Sequence, residues 1–370
     1  MTGVAFLALT ACSSKTTATT TPPVSPAAGG GTSSGAAPAG KGFAADSLIG
    51  VALPAKTSEN WVLAGGLYDA GLKAAGFKAD VQYAAASGTV ADQQAQITAL
   101  VTKGAKVIVI GAEDGSQLGT QLKAAHDAGI IVIAHDRLIK NTADLDYYVA
   151  YDNFKVGELQ GKALLDGMKA KKPTGPYTIE LFAGSPTDAN AQVFFDGAMS
   201  VLKPEIDKKN VVVGSGQMDF KQVTTDGWKA ENSQRRMDTL ITSTYGSKVL
   251  DGVLAPNDNL GRSIIQSVKG AGKPIPVVTG QDSEVESIKS IIAGEQYSSV
   301  FKDTRVLAKV TVALVDAALS GGTPEINDTK TYDNGVKVVP SYLLVPVPVD
   351  ATNYKDVLVG SGYYTEDQLK

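Results

Sequence analysis

The residues that could do chemistry stand where apolar runs end. Residues 130–134 are apolar, and Asp136 and Arg137 follow closely, side by side. A carboxylate next to a guanidinium can form a surface salt bridge, a catalytic couple or a clamp for a ligand. A neighbouring cation keeps an acid ionised, which disfavours general-acid catalysis by Asp136. The choice then lies between a surface salt bridge and a ligand clamp.

Polar residues also follow the other apolar runs, and both tryptophans of the chain, Trp61 and Trp228, are among these clusters. The polar residues are Asp114, Asp188, Asn190, Asn257, Asp258, Gln281, Asp282 and Lys302. Planar carboxylate, amide and guanidinium groups can bond two adjacent hydroxyls, and an indole packs on the C–H face of a sugar ring. Taken singly, each Asp or Asn could be a helix N-cap and each Trp a core residue. Their recurrence after successive strands favours one binding site.

The elements that must position these residues alternate between strand and helix. Apolar runs predict strands at residues 47–53, 79–83, 106–110, 130–134, 177–182, 211–215, 252–255, 275–279 and 298–301. Helical spacing predicts helices at residues 60–75, 90–103, 115–128, 154–168, 189–202, 223–242, 260–269, 285–293 and 304–319. This alternation predicts an α/β fold with two doubly wound, Rossmann-like parallel-sheet lobes. Ligands bind at the carboxyl ends of such strands, so two facing lobes would enclose a cleft.

Composition excludes several function classes. A chain of 370 residues predicts two domains, and its net charge of -4 argues against a nucleic-acid partner. Cys12 is the only cysteine, and His126 and His135 are the only histidines. A cysteine-rich metal site, a histidine-based zinc site and a Ser-His-Asp triad are therefore disfavoured. We predict no metal and no cofactor.

The N-terminal sequence predicts export. A short apolar run leads to Leu9-Thr10-Ala11-Cys12, which resembles a bacterial lipobox and implies cleavage before Cys12 and lipidation of its thiol. Residues 1–12 would be the signal peptide and residues 13–45, rich in Ser, Thr, Pro, Ala and Gly, a flexible tether. The folded body would then lie outside the cytoplasm, anchored to the outer face of the cell membrane or periplasmic. Because no Lys or Arg precedes the apolar run, the alternatives are a start further upstream or a chance cysteine.

The chain resembles one family over nearly all of residues 48–364. The segments TKGAKVIVIGAEDG, IAHDRLI, YYVAYDNFKVGELQG, IELFAGSPTDANA and VTGQDSEVESIKSI resemble type I periplasmic sugar-binding proteins of ABC importers. Within that family the xylose-binding and multiple-sugar-binding receptors are most similar. The resemblance implies two lobes joined by a three-strand hinge. Residues 46–152 and 303–330 would form the N-terminal lobe, and residues 153–302 and 331–370 the C-terminal lobe.

The resemblance also implies the ligand contacts. They would be Trp61, Asp114, Asp136, Arg137, Asn190, Trp228, Asn257, Asp282 and Lys302. Asp136 and Arg137 would clamp neighbouring hydroxyls, with help from Asn257 and Asp282 in the other lobe. One departure is Asn60, where the resembling receptors carry an Arg before the Trp. A long-reach contact is lost there or passed to Lys56 or Glu59, which would weaken a preference for an acidic sugar.

The function expected from this resemblance is capture of a monosaccharide, an aldopyranose such as glucose, galactose, xylose or arabinose. The partners would be an ABC permease and the membrane, reached through the lipid anchor at Cys12, and the protein would be a monomer. The alternatives are a receptor for a nucleoside or autoinducer, and a sugar sensor for a membrane signalling protein. A glycosidase is disfavoured because Arg and Lys would keep the carboxylates ionised. A sugar-responsive repressor would need a DNA-binding segment where the lipobox stands.

Overall fold

The computed structural model describes residues 46–56, 58–85 and 89–370. The predicted signal peptide, Cys12 and the predicted tether over residues 13–45 lie outside the described residues. Within the described ranges, none of the helices is both long enough and apolar enough to cross a membrane.

Strands and helices alternate along most of the described chain. The strands are β1 (Leu48–Leu53), β2 (Lys78–Tyr83), β3 (Val107–Ile110), β4 (Ile131–His135), β5 (Tyr147–Tyr151), β6 (Tyr177–Leu181), β7 (Val211–Val213), β8 (Gly252–Leu254), β9 (Val277–Val278), β10 (Ser298–Phe301), β11 (Ser341–Leu344) and β12 (Val347–Asp350). The α-helices are α1 (Glu59–Ala74), α2 (Val90–Thr102), α3 (Gly119–Asp127), α4 (Asn153–Lys171), α5 (Ala189–Asp207), α6 (Phe220–Val223), α7 (Ala230–Ser243), α8 (Asp258–Gly270), α9 (Val285–Ile292) and α10 (Thr304–Ser320). Short 3-10 turns lie at Asp226–Trp228 and Glu366–Leu369, and a π-helical turn at Lys355–Val359.

The first lobe is built on a six-stranded parallel sheet in the order β11-β5-β4-β3-β1-β2. Strand β3, with the sequence VIVI, is buried throughout because helices cover both faces of the sheet. Helices α2 and α3 pack on one face, and α1 and α10 on the other, each over its own apolar core. This sandwich fixes the carboxyl end of β4, where the Asp-Arg pair begins.

The second lobe is built on a smaller parallel sheet in the order β7-β6-β8-β9. Helices α4 and α5 cover one face, and α7 and α8 the other. Strands β10 and β12 form a separate antiparallel pair beside α9. The two doubly wound lobes that the sequence predicts are confirmed.

Some predicted boundaries were wrong. The predicted helix over residues 223–242 is broken, because Gly227 and Trp228 have left-handed φ of 63° and 54° between α6 and α7. Strands β5, β11 and β12 were not predicted. Strand β11 pairs with β5 in the first sheet, so residues 331–344 belong to the first lobe and not to the second. The chain passes between the lobes after Tyr151, after Phe301 and after Leu344.

Candidate functional site

The polar ends of the parallel strands meet in one cleft between the lobes. Eight of the nine predicted ligand residues line a single pocket there: Trp61, Asp136, Arg137, Asn190, Trp228, Asn257, Asp282 and Lys302. Asp114 does not line it. The Asp114 carboxylate instead accepts hydrogen bonds from the backbone and hydroxyl of Ser116, at 2.9 and 2.6 Å, and from Gln117. These local bonds shape the turn before α3.

Asp136 presents a free carboxylate to the pocket. Its backbone is left-handed, with φ of 62°, which turns the chain sharply as β4 ends. The Asp136 carbonyl oxygen accepts hydrogen bonds from the Tyr148 hydroxyl and the Asn190 amide, both at 2.7 Å. Among the described residues, no side chain or backbone group bonds the Asp136 carboxylate, so its oxygens remain available to a ligand.

Arg137 does not pair with its neighbour Asp136. Its Nε lies 3.1 Å from Oδ2 of Asp188, in the other lobe, and its Nη1 donates to the Ala112 carbonyl at 2.9 Å. The guanidinium also lies 5.3 Å from the centre of the Trp61 ring. Arg137 therefore forms its ion pair with Asp188 across the cleft, and not with its neighbour Asp136.

Asp188 is the second-lobe partner in this pair. It caps α5 by accepting from the Asn190 backbone at 2.9 Å, and its Oδ2 also accepts from the Trp228 indole at 3.2 Å. Burial raises the pKa of Asp188 above its usual range, and the Arg137 charge opposes that rise only in part. Asp188 thus links a cation of the first lobe to an aromatic ring of the second.

Asn190 also bonds the lobes to each other. Its Nδ2 donates to the Asp136 carbonyl, and its Oδ1 lies 3.1 Å from the Tyr148 hydroxyl oxygen. Both polar ends of the Asn190 side chain are engaged with first-lobe groups. Asn190 therefore contributes to contact between the lobes as well as to the pocket lining.

The other ion pair of the pocket lies on the second-lobe side. Lys302, directly after β10, lies 3.0 Å from Asp282, which follows β9. Burial disfavours the Lys302 cation, but the carboxylates of Asp282 and Asp136 outweigh this and raise the pKa of Lys302. Lys302 stays charged at neutral pH. Asn257, the N-cap of α8, accepts from the Leu260 backbone at 3.0 Å with its Oδ1.

The two tryptophans supply apolar surfaces from opposite walls. Trp61 lies in the first turn of α1 and is 9% exposed. Trp228 stands edge-on to Phe194, with the ring centres 6.5 Å apart. It packs against Gly184 so closely that a Cβ there would lie 2.0 Å from the indole, so this position requires glycine. The pocket therefore has an aromatic residue on each lobe.

His135 lines the pocket but is held by the first-lobe core. Its Nδ1 lies 2.7 Å from the Tyr68 hydroxyl, and burial lowers the pKa of His135 to about 4. The imidazole is therefore neutral at physiological pH. The pocket also contains residues that were not predicted as ligand contacts: Ser58, Asn60, Ala64, Asp188, Phe194, Asn259, Gln281, Thr304 and Leu307. Phe194 could have been found, since it lies one helical turn after Asn190 on α5.

This arrangement suits a small, neutral molecule rich in hydroxyl groups. Carboxylates accept, ammonium and guanidinium groups donate, amides do both, and aromatic faces receive C–H groups. Among the described residues, no cluster of His, Cys, Asp and Glu is arranged to hold a metal ion.

Comparison with known proteins gives a consistent result. A family model described as a periplasmic binding protein domain matches residues 49–323. The multiple sugar-binding periplasmic receptor ChvE of Rhizobium radiobacter is 54% identical over 340 residues, which cover 90% of this chain and 95% of the relative. The D-xylose-binding periplasmic protein of Escherichia coli K12 is 37% identical, over 87% of this chain and 92% of the relative. An ABC transporter solute-binding protein of Clostridium phytofermentans, crystallised with β-D-glucose, is 45% identical with a TM-score of 0.84, over 87% of this chain and 100% of that one.

Proposed function

The chain belongs to the periplasmic binding protein family, among the type I sugar receptors related to xylose-binding and multiple-sugar-binding proteins, and on this premise we propose that it captures a monosaccharide between its lobes and delivers it to an ABC permease. The observation that carries the proposal is the pocket itself. Its two walls come from different lobes, and each wall contributes one tryptophan and several hydroxyl-bonding groups. Lobe closure around the sugar would signal occupancy to the permease.

The ligand that fits this pocket is an aldopyranose. The free Asp136 carboxylate accepts from sugar hydroxyls, while Asp282 and Lys302 offer an acceptor and a donor side by side. Trp61 and Trp228 would cover the two faces of the ring. Glucose is the first candidate because the similar protein of Clostridium phytofermentans was crystallised with β-D-glucose. Galactose, xylose and arabinose are the next ligands to test.

A calorimetric screen tests the proposal. The protein is titrated with glucose, galactose, xylose and arabinose, and with nucleosides as the competing ligand class. We expect micromolar or tighter binding of at least one aldopyranose. Both tryptophans line the pocket, so a change in intrinsic fluorescence should accompany the heat. Absence of heat and fluorescence change with every sugar, or tighter binding of a nucleoside, would reject a sugar receptor.

The family is extracytoplasmic and consists of binding proteins rather than enzymes. Within that frame the proposal includes a lipid anchor at Cys12, a monomeric state and no catalytic turnover. Metabolic labelling with a fatty-acid analogue in a bacterial host should label the parent protein and not Cys12→Ser. Equal labelling of both proteins would show that Cys12 is not the attachment site.

A further inference from the structure

The segment that carries Asp282 has an unusual backbone. We name residues 280–284, between β9 and α9, the binding loop. Asp282 and Ser283 are consecutive non-glycine residues with left-handed φ of 93° and 52°. Such backbone is costly for residues with a Cβ and persists only where the surrounding structure holds it in place. Contacts with the surrounding structure must therefore stabilise the backbone conformation of this loop.

Asp258, the first residue of α8, bonds the binding loop at both ends. Its backbone N–H donates to the Gln281 carbonyl at 3.1 Å, and its Oδ2 accepts from the Glu284 backbone N–H at 2.9 Å. The Ser299 hydroxyl donates to the Asp258 carboxylate at 2.9 Å and accepts from the Ser283 backbone N–H at 3.0 Å. Asp258 thus stabilises two consecutive backbone amides of the loop. It bonds the Glu284 amide directly and the Ser283 amide through the Ser299 hydroxyl.

Asp258 faces away from the pocket. Its neighbours Asn257 and Asn259 line the pocket, whereas Asp258 is fully buried beneath the binding loop. The approach is so close that a Cβ on Gly280 would lie 2.0 Å from an Asp258 oxygen. Among the described residues, no cation forms an ion pair with Asp258. Burial, together with the neighbouring acids Glu284 and Asp282, raises the pKa of Asp258 well above its usual range, and the hydrogen bonds from Gln296 and Ser299 oppose that rise only in part.

From these contacts we propose that Asp258 is a positioning residue, which holds the binding loop in its left-handed conformation and so aims the Asp282 carboxylate into the pocket. The proposal rests on the proposed function as far as sugar affinity is concerned. Its structural half, the hold on the loop, concerns the unliganded protein alone.

Hydrogen exchange in the unliganded full chain tests the structural half. Asp258→Ala removes the acceptor of the Glu284 amide and frees the Ser299 hydroxyl. The amides of Ser283 and Glu284 should then exchange at least tenfold faster. Glu231→Ala, an exposed first-turn acid of α7 in the same lobe, is the matched control and should leave the loop unchanged. Unchanged exchange of the loop amides in Asp258→Ala would overturn the proposal, whatever the sugar measurements show.

A double-mutant cycle on glucose affinity tests the functional half. Asp258→Ala alone should weaken binding about tenfold. In an Asp282→Ala background it should add less than twofold, because the residue through which it acts is already gone. A full tenfold loss in that background would mean that Asp258 does not act through Asp282. If the parent protein binds none of the sugars, the proposed function fails, while the exchange result still decides whether Asp258 holds the loop.

Ser299→Ala provides a second route if Asp258→Ala does not fold. It removes one hydroxyl and leaves the Asp258 carboxylate with its bonds to Glu284 and Gln296. The Ser283 amide loses its acceptor and should exchange at least threefold faster, with a smaller loss of affinity that again disappears in the Asp282→Ala background. Parent-like exchange of the Ser283 amide in this variant would contradict the role of Ser299 as the relay.

Discussion

The two ion pairs of the pocket have similar burial but different topology. Asp282 and Lys302 follow the consecutive strands β9 and β10 on the second-lobe side, so their pair can exist whether or not the lobes are in contact. Arg137 and Asp188 come from opposite lobes, so their pair exists only when the lobes meet. All four side chains are at most 15% exposed. We propose that this difference separates two tasks, in which the first pair presents polar atoms to a ligand and the second holds the cleft closed.

The largest expected effect is on the pair that presents atoms to the ligand. Asp282→Ala removes a proposed sugar acceptor and leaves the Lys302 cation buried without its partner. We expect glucose affinity to fall about a hundredfold, which corresponds to about 2.7 kcal/mol. Calorimetry measures it, with Asp238→Ala, an exposed acid on α7, as the control. An affinity within threefold of the parent would show that this pair does not contact the sugar.

The pair between the lobes should act mainly on dissociation. Arg137→Ala deletes the cation that meets Asp188 only in the closed form, so the closed complex loses stability while encounter with the open form is unaffected. We expect about tenfold weaker binding, with a faster koff and an unchanged kon in stopped-flow fluorescence.

Arg137→Lys keeps the charge but not the planar guanidinium, so its glucose affinity should lie between those of Arg137→Ala and the parent. A slower kon with an unchanged koff in Arg137→Ala would assign Arg137 to initial sugar capture and remove the distinction between the pairs.

The sequence predicts where this site lies better than it predicts which of the site residues bond to one another. The alternation of strand and helix shows which strand ends share an edge, and eight of nine candidates line the pocket, although Trp228 lies between α6 and α7 and not at a strand end. The partner of Arg137 could not be predicted, because the left-handed turn at Asp136 separates two neighbours and the true partner lies across the cleft. Asp114 obeys the same strand-end rule, yet local bonds to Ser116 and Gln117 take up its carboxylate.

The pairing of strands that lie far apart in the sequence could not be predicted either. Strand β11 joins the first sheet beside β5 although nearly the whole second lobe separates them along the chain. Hydrophobic periodicity reports what a segment is but not which edge it pairs with. The third passage between the lobes was therefore predicted after residue 330, whereas the chain passes to the second lobe after Leu344.

A smaller effect is expected at the indole that supports Asp188. Trp228→Phe keeps an aromatic face but deletes the Nε1 donor to Asp188. If that bond orients Asp188 toward Arg137, affinity should fall about threefold, and most of the loss should vanish in an Arg137→Ala background. The matched change Trp61→Phe leaves the Asp188 contacts intact, so its loss should persist in that background. Each variant retains one tryptophan as a fluorescence reporter. Equal behaviour of the two variants would show that Trp228 acts only as a stacking surface.

The smallest effect on affinity is expected at His135, which belongs to the first-lobe wall but to neither ion pair. Burial lowers the pKa of His135 to about 4, below the ordinary value near 6.5. The unfolded chain therefore binds the proton more readily, so the stability that the neutral imidazole contributes is complete above about pH 6.5 and is lost as pH falls toward about 4.

His135→Asn, which can still bond the Tyr68 hydroxyl, removes this titration. Urea unfolding of both proteins from pH 7 to pH 4 should show the parent losing about 3 kcal/mol more than the variant. Parallel pH profiles would mean that His135 titrates normally, and a large change in glucose affinity at pH 7 would make it a ligand contact.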